Sequence, residues 1–303
     1  MSPPATFRAV GIGASAGGLE AVTQLLGAIP AGSGLACIVV QHLDPHHESL
    51  LPELLAKAAA VPVTPVLGGE VVRPDHVYVL PPNATLTVAD GRFHLTERLA
   101  HERHLPVDAL FRSLALEYAD DAIGVVLSGG DSDGSLGIQA IKHEGGIVFA
   151  QTPDSARFPN MPRHAIDTGC VDRVLSPAEI AHELIRLSRR LSLRPATDAS
   201  EAAMAPEAGA HDGETTLRLI FRRLRAAHGL DFTHYKRSTL RRRLERRMTL
   251  RGIESLDEYC ALIDTDAGEM AALHQDFLIR VTEFFRDRDS FEALRHRVLP
   301  ALR

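Results

Sequence analysis

Cysteine is too scarce in this chain to hold it together. Its 303 residues contain three, Cys37, Cys170 and Cys260, odd in number and far apart. They supply neither a disulfide framework nor a metal-ligand spacing. Cys37 lies in an apolar run and reads as a core residue; a reducing, cytoplasmic setting is the expectation. Long apolar runs are missing as well. Nothing approaches the roughly 18 consecutive apolar residues that mark a membrane span, so no membrane insertion is expected. The first residues lack a basic segment followed by an apolar one, so no secretory leader is expected. Internal repeats are absent.

What is present is ordinary for a globular protein, 45% hydrophobic and 24% charged residues. The net charge of −6 conceals a split. Residues 1–213 carry 15 basic and 25 acidic side chains, a net of −10, while residues 214–303 carry 18 and 14, a net of +4. An acidic part and a basic part suggest two domains with different surfaces. A stretch rich in Ala, Pro, Glu and Gly separates them and reads as a linker at 193–213.

The first part alternates short apolar runs with helical patterns. Strands are expected near residues 9–14, 35–40, 77–80, 123–127 and 147–150. Helices are expected at 19–29, 50–55, 107–118, 136–143 and 177–191. Asp90-Gly91 between two alternating runs predicts a hairpin. Strands separated by helices predict an α/β fold, a doubly wound, mostly parallel sheet with helices on both faces. The second part predicts a small all-α domain, with helices at 215–228, 238–251, 256–263, 269–277 and 291–302.

The opening unit, residues 9–22, reads as strand, glycine turn and helix. Three readings compete there. Gly13-x-Ser15-x-Gly17 fits a nucleophile elbow. Gly11-x-Gly13-x-x-Ala16 fits a relaxed dinucleotide loop. Ser15 could also simply cap the helix. The second strand ends in Gln41-His42, where a dinucleotide site wants an acid, so that reading weakens. The fourth ends in a turn with Asp131 and Asp133. In a parallel sheet Ser15, His42 and Asp133 fall on one edge, and serine, histidine and aspartate there are the parts of a nucleophilic triad. The bland alternatives are a helix cap for Ser15, a loop histidine for His42 and a second cap for Asp133. The order Ser, His, Asp disfavours an ordinary α/β-hydrolase. The calcium-like Asp131-x-Asp133-Gly134 lacks its further ligands, and His42, His46 and His47 lack a helix to align them, so no metal is expected.

These residues carry a resemblance. Residues 7–190, through the segments 10–22, 39–55, 77–88, 105–115, 125–142 and 150–172, resemble the catalytic domain of chemotaxis protein-glutamate methylesterases of the CheB type. The resemblance implies Ser15 as nucleophile, His42 as base and Asp133 as its partner. The implied reaction is hydrolysis of glutamate γ-methyl esters on a methylated chemoreceptor or related acidic helical protein, with glutamine deamidation in some members. No cofactor is expected for it. For the tetrahedral intermediate the backbone N–H groups of Ala16 and Gly130 are the expected oxyanion donors. Residues 214–303, through 235–244 and 281–287, resemble the N-terminal part of CheR-type glutamate methyltransferases. Thr282 and Arg286 would then belong to a partial S-adenosylmethionine site, and the cofactor-binding domain would follow residue 303. The expected domains are thus 1–192, a linker at 193–213, and 214–303, as the first part of a fusion of both enzymes.

The pattern departs from the family at two places. Ala16 stands where Thr is frequent. Gly129-Gly130-Asp131 replaces Gly-Met-Gly, and many fused relatives keep glycine where Asp131 stands. A carboxylate two residues from Asp133 should raise the pKa of one or the other by like-charge repulsion and weaken the triad. A regulatory or scaffolding module without activity is therefore the alternative function. In the basic part Arg237, Arg241, Arg242, Arg243, Arg246 and Arg247 line one helix, with Leu240, Leu244 and Met248 marking its core side. The stripe reads either as a solvated helix face or, as the resemblance implies for this domain, as a docking surface on which Arg237, Arg241, Arg242 and Arg246 bind the acidic receptor partner. Nucleic acid is disfavoured, because aromatics are few among the arginines and the chain is acidic overall.

Overall fold

A computed structural model describes residues 7–42, 49–98, 104–191, 210–229, 232 and 237–278. In chain order the first unit contains β1 (Arg8–Ala14), α1 (Gly18–Gly27), β2 (Leu35–Gln41), α2 (Leu51–Ala56), β3 (Val63–Pro65), β4 (His76–Val79), β5 (Ala84–Ala89), β6 (Arg92–Glu97), α3 (Pro106–Tyr118), β7 (Ala122–Val126), α4 (Ser135–His143), β8 (Ile147–Gln151), α5 (Asn160–Asp167), β9 (Arg173–Leu175) and α6 (Pro177–Leu191). Helices α7 (Ala210–His228), α8 (Arg237–Arg251), α9 (Leu256–Thr265) and α10 (Ala267–Phe277) follow.

Seven strands form one parallel sheet in the order β3-β4-β2-β1-β7-β8-β9. Helices cover both faces, so the strands read as continuous apolar runs. Alternate residues serve the two sides. Val10, Ile12 and Ala14 of β1 pack with α1 and α6, including Val22, Leu25 and Leu184. The other face holds Ile38 and Val40 of β2 with Val107, Phe111 and Leu114 of α3. On that face β1 carries Gly11 and Gly13. A Cβ on Gly13 would lie 2.3 Å from Val107 Cγ1, and one on Gly11 would lie 2.8 Å from Phe111 and Leu114. These glycines therefore bring α3 close onto the sheet; they do not cradle a phosphate.

The β5–β6 hairpin turns at Asp90 and Gly91, both with positive φ (50° and 67°), as the Asp-Gly pair predicts. Among the described residues two strands and one α-helix are additional to those expected. Edge strands β3 and β9 have three residues each, too short for a periodic signal. Helix α5 lies in a proline-bearing segment between β8 and β9; Pro162 sits in its first turn, where a missing N–H is tolerated.

The helical unit has its own core of Ile220, Leu224, Phe232, Leu240, Leu244, Met248, Tyr259, Ile263, Leu273 and Phe277. Helix α7 begins at Ala210, inside the stretch read as linker. The helix expected at 291–302 lies outside the described residues. Helix α8 corrects the expected arginine stripe. Arg243, Arg246 and Arg247 are buried. Arg247 makes a bidentate pair with Glu269 (2.9 and 2.6 Å), which also accepts from the Tyr259 hydroxyl (2.6 Å). Arg246 reaches across to the first unit: its Nε donates to Gly146 O at 2.8 Å, and its guanidinium pairs with Asp172 and with Asp276. Lys142 in turn bridges Asp172 (2.6 Å) and Asp276 (2.9 Å). Leu250 joins the apolar cluster of the α1–α6 face. Arg173 and Arg186 donate to the last carbonyls of α8. Gly146 and Asp172 immediately precede β8 and β9, so α8 docks at the amino ends of the strands.

Candidate active site

The carboxyl ends of β2, β1 and β7 lie side by side, with Ala14 paired to Gln41 and Gly13 to Val126. Successive strands leave β1 in opposite directions here. Such a switch point is where open α/β sheets form their crevices. The chain leaves β1 at Ser15, whose N–H donates to Ser128 O (2.9 Å) and whose carbonyl accepts from Gly18 N–H (2.9 Å). The helix cap expected as one role for Ser15 falls to another residue. Gly17 is the N-cap of α1, at φ 70°, and no side chain caps that helix. Among the described residues the Ser15 hydroxyl makes no hydrogen bond. It stands half-buried beside Gly129, where a Cβ would come within 3.0 Å of Ser15 Cβ.

His42 follows β2, its N–H donating to Ala14 O (3.2 Å). Its ring lies between two carboxylates: Nε2 is 2.9 Å from Asp133 Oδ2 and Nδ1 is 3.0 Å from Asp131 Oδ2. A carboxylate only accepts, so a ring bonded to two of them carries both protons. Hydrogen bonds donated to Asp131 and then to Asp133 raise the His42 pKa to about 9, against the opposing effect of burial.

The Asp133 side chain is fully buried, 0% exposed, and its oxygens are well occupied. Oδ2 accepts from Val107 N–H and Oδ1 from Asp108 N–H, both at 2.9 Å, and Oδ1 also accepts from Gly134 N–H. Val107 and Asp108 open α3, so a carboxylate sits at the positive end of a helix. Asp108 returns the arrangement to α4, accepting from Gly137 N–H at 2.6 Å. Burial, first of all, pushes the Asp108 carboxyl up. The α3 approach permitted by Gly13 is what lets these amides reach Asp133.

Ala16 and Gly130, the expected oxyanion donors, are both exposed on this edge. Sequence reasoning missed the residue that organises their loops. Ser128 is wholly buried; its hydroxyl donates to Ala16 O (2.8 Å) and accepts from Phe158 N–H (3.0 Å), while its own N–H donates to Gln151 Oε1 (2.9 Å). Its position after an apolar strand was the one available signal. A pocket of about 240 Å³ opens beside His42, lined by Gln41, Leu80–Ala84, Arg98, His104, Pro106 and Asp131. Burial lowers the pKa of His104.

His46, His47, Thr282 and Arg286 lie outside the described residues, as does the side chain of Arg237. Of the arginines expected to meet a partner, Arg241 is exposed (76%) and pairs with Glu245. Arg242 is partly exposed and reaches His143 O (3.3 Å). Arg246, 2% exposed, lies inside the protein, so it does not belong to an exposed docking face.

Residues 10–184 match the family described as CheB methylesterase, and residues 215–278 match the CheR methyltransferase, all-alpha domain. An uncharacterized 104.1 kDa protein of Rhodobacter capsulatus, from the hypE 3' region, is 36% identical over 83% of this chain, which spans 28% of that protein. A protein-glutamate methylesterase/protein-glutamine glutaminase of Photorhabdus laumondii is 34% identical over 60% of this chain and 51% of its own length. The crystal structure of the Thermotoga maritima CheB methylesterase catalytic domain superposes with a TM-score of 0.56 at 28% identity, covering 60% of this chain and 98% of that domain. Parallel sheet, strand-end site and the family match over residues 10–184 agree, and the chain belongs to the CheB methylesterase family.

Proposed function

We propose that this chain hydrolyses glutamate γ-methyl esters on a chemoreceptor-like protein, with Ser15 as nucleophile, His42 as base and Asp133 as the group that orients His42. The observation that supports it is the placement at one sheet edge of Ser15, whose hydroxyl makes no hydrogen bond among the described residues, and of a histidine held on a fully buried carboxylate. Ser15 Oγ attacks the ester carbonyl carbon while His42 takes its proton. The intermediate collapses, the bond to the methoxy oxygen breaks, and His42 returns the proton to give methanol. Water then adds to the acyl-serine with His42 again as base, releasing the glutamate carboxylate and restoring Ser15. A glutamine side chain would follow the same path with ammonia leaving. The N–H groups of Ala16 and Gly130 are the proposed oxyanion donors, each worth about 2.7–4 kcal/mol in the transition state.

The protein-glutamate ester substrate follows the names of relatives whose length this chain only partly spans, and the receptor follows the family resemblance. The helical unit is proposed as the start of a methyltransferase that uses S-adenosylmethionine, with Thr282 and Arg286 at that site and Arg241 and Arg242 facing an acidic partner. Methanol release from a methylated receptor peptide tests the esterase. It should vanish in Ser15→Ala, and unchanged release would refute the assignment. One observation favours a second, scaffolding reading: both His42 ring nitrogens are already engaged. Covalent labelling of Ser15 by a serine-directed fluorophosphonate excludes that reading.

A further inference from the structure

Asp133 occupies His42 Nε2 and Asp131 occupies Nδ1, so a base for Ser15 requires one of the two carboxylates to yield, and Asp131 is the exposed one. We propose that Asp131 is a positioning residue that competes with Ser15 for His42, holding the ring doubly protonated and the triad closed until that carboxylate is released. This inference rests on the esterase reading above and adds a control to it.

The two carboxylates are built differently. Asp133 is fully buried and fixed by backbone amides, whereas the Asp131 side chain is 45% exposed at the rim of the pocket. Asp131 is aimed rather than loose: its Oδ1 accepts from Asp133 N–H (3.0 Å), and its carbonyl oxygen faces His164 Nδ1 of α5 (2.9 Å). Gly130 before it has open space where a side chain would stand, which leaves room for the turn to move. Among the described residues the other charged and titratable groups on this side are Arg98 and His104 in the pocket wall and Asp108 behind Asp133. None of these supplies His42 with a third carboxylate. With two anions against one imidazolium, the doubly protonated ring is favoured, and such a ring cannot take the Ser15 proton. Removing Asp131 leaves the ordinary pairing of one histidine with one buried aspartate.

The test uses the full chain with Asp131→Gly and with Asp131→Asn, which retains an oxygen for the Asp133 amide. Histidine-selective NMR titration, with His42→Gln to assign the signal, reads the ring directly. The wild-type midpoint is expected near 9, and both variants should fall by about one unit or more, a tenfold change in proton affinity. Methanol release against pH is the second readout. The wild-type rate should climb through neutral pH, and the variant profiles should move toward acid by the same interval, making them about tenfold faster or more at pH 7. An unmoved His42 midpoint, or a falling midpoint with an unmoved rate profile, overturns the proposal. If no form releases methanol at any pH while the midpoint falls, the proton lock stands and the nucleophile reading fails.

Discussion

Replacing Arg246 by alanine tests what α8 is for. In the structure Arg246 and Lys142 each bridge Asp172 and Asp276, so two cations meet two carboxylates across the boundary between the units. Burial alone would push the Asp172 carboxyl up, but Arg246 and Lys142 hold it below its ordinary value. Alanine at 246 leaves Asp172 and Asp276 to share one lysine, and it also orphans Gly146 O, which accepts from Arg246 Nε. Removing one partner of a buried ion pair costs about 3–5 kcal/mol. Against a total stability of about 5–15 kcal/mol, that is a large fraction.

The chain has no tryptophan, so urea unfolding is best followed by circular dichroism. With a urea slope of about 3 kcal/mol/M the midpoint should fall by about 1–2 M at pH 7. Arg241→Ala, which breaks only an exposed pair with Glu245, should cost no more than about 0.5 kcal/mol. The pH dependence has a definite sign. A depressed carboxyl contributes stability above its unfolded pKa, near 4, and loses it as pH falls through the folded value. Without Arg246 the Asp172 carboxyl rises, so the gap between wild type and Arg246→Ala should narrow below about pH 4. Equal midpoints for Arg246→Ala and Arg241→Ala would refute the buried clamp and return Arg246 to the surface.

Three further outcomes follow from the site and the core. Gly13→Ala places a methyl group against Val107, which should cost about 1–3 kcal/mol in thermal unfolding and reduce methanol release more than proportionately, because α3 carries the amides on Asp133. Asp133→Asn should lower the turnover rate by up to about 10⁴-fold, through the wrong imidazole tautomer, with the fold retained by circular dichroism. The raised His42 pKa contributes stability that is full below about pH 6.5 and is lost as pH rises through about 9; melting temperatures at pH 6.5 and 9.5 should differ less in Asp131→Gly than in wild type.

The central elements were legible because they combine strong local signals. Strands β1, β2 and β7 are apolar apart from Arg8 at the start of β1 and Gln41 at the end of β2, as burial on both faces requires, and each ends in a polar turn. The Asp90-Gly91 hairpin was legible for a different reason: only a few residues tolerate positive φ at both positions. The edge strands β3 and β9 were not, since three residues cannot establish a period. Ser128 escaped notice because its value lies in three partners distant along the chain, Ala16, Gln151 and Phe158. The buried arginines escaped for a related reason. A run such as Arg241-Arg242-Arg243 and Arg246-Arg247 reads as a solvated face unless acceptors are known, and Asp172 stands 74 residues from Arg246.

The same sheet thus does two jobs at its two ends, and the glycines of β1 connect them to the sequence. At the carboxyl end, Gly11 and Gly13 let α3 descend until its first amides grip Asp133, and Asp133 fixes His42. At the amino end, the turns before β8 and β9 present Gly146 and Asp172 to Arg246 of α8. Helix α8 is therefore docked at the end of the sheet opposite Ser15. The group proposed to compete with Ser15 for its base sits within the edge itself, at Asp131, directly after the proposed oxyanion donor Gly130 and two residues from the aspartate it opposes.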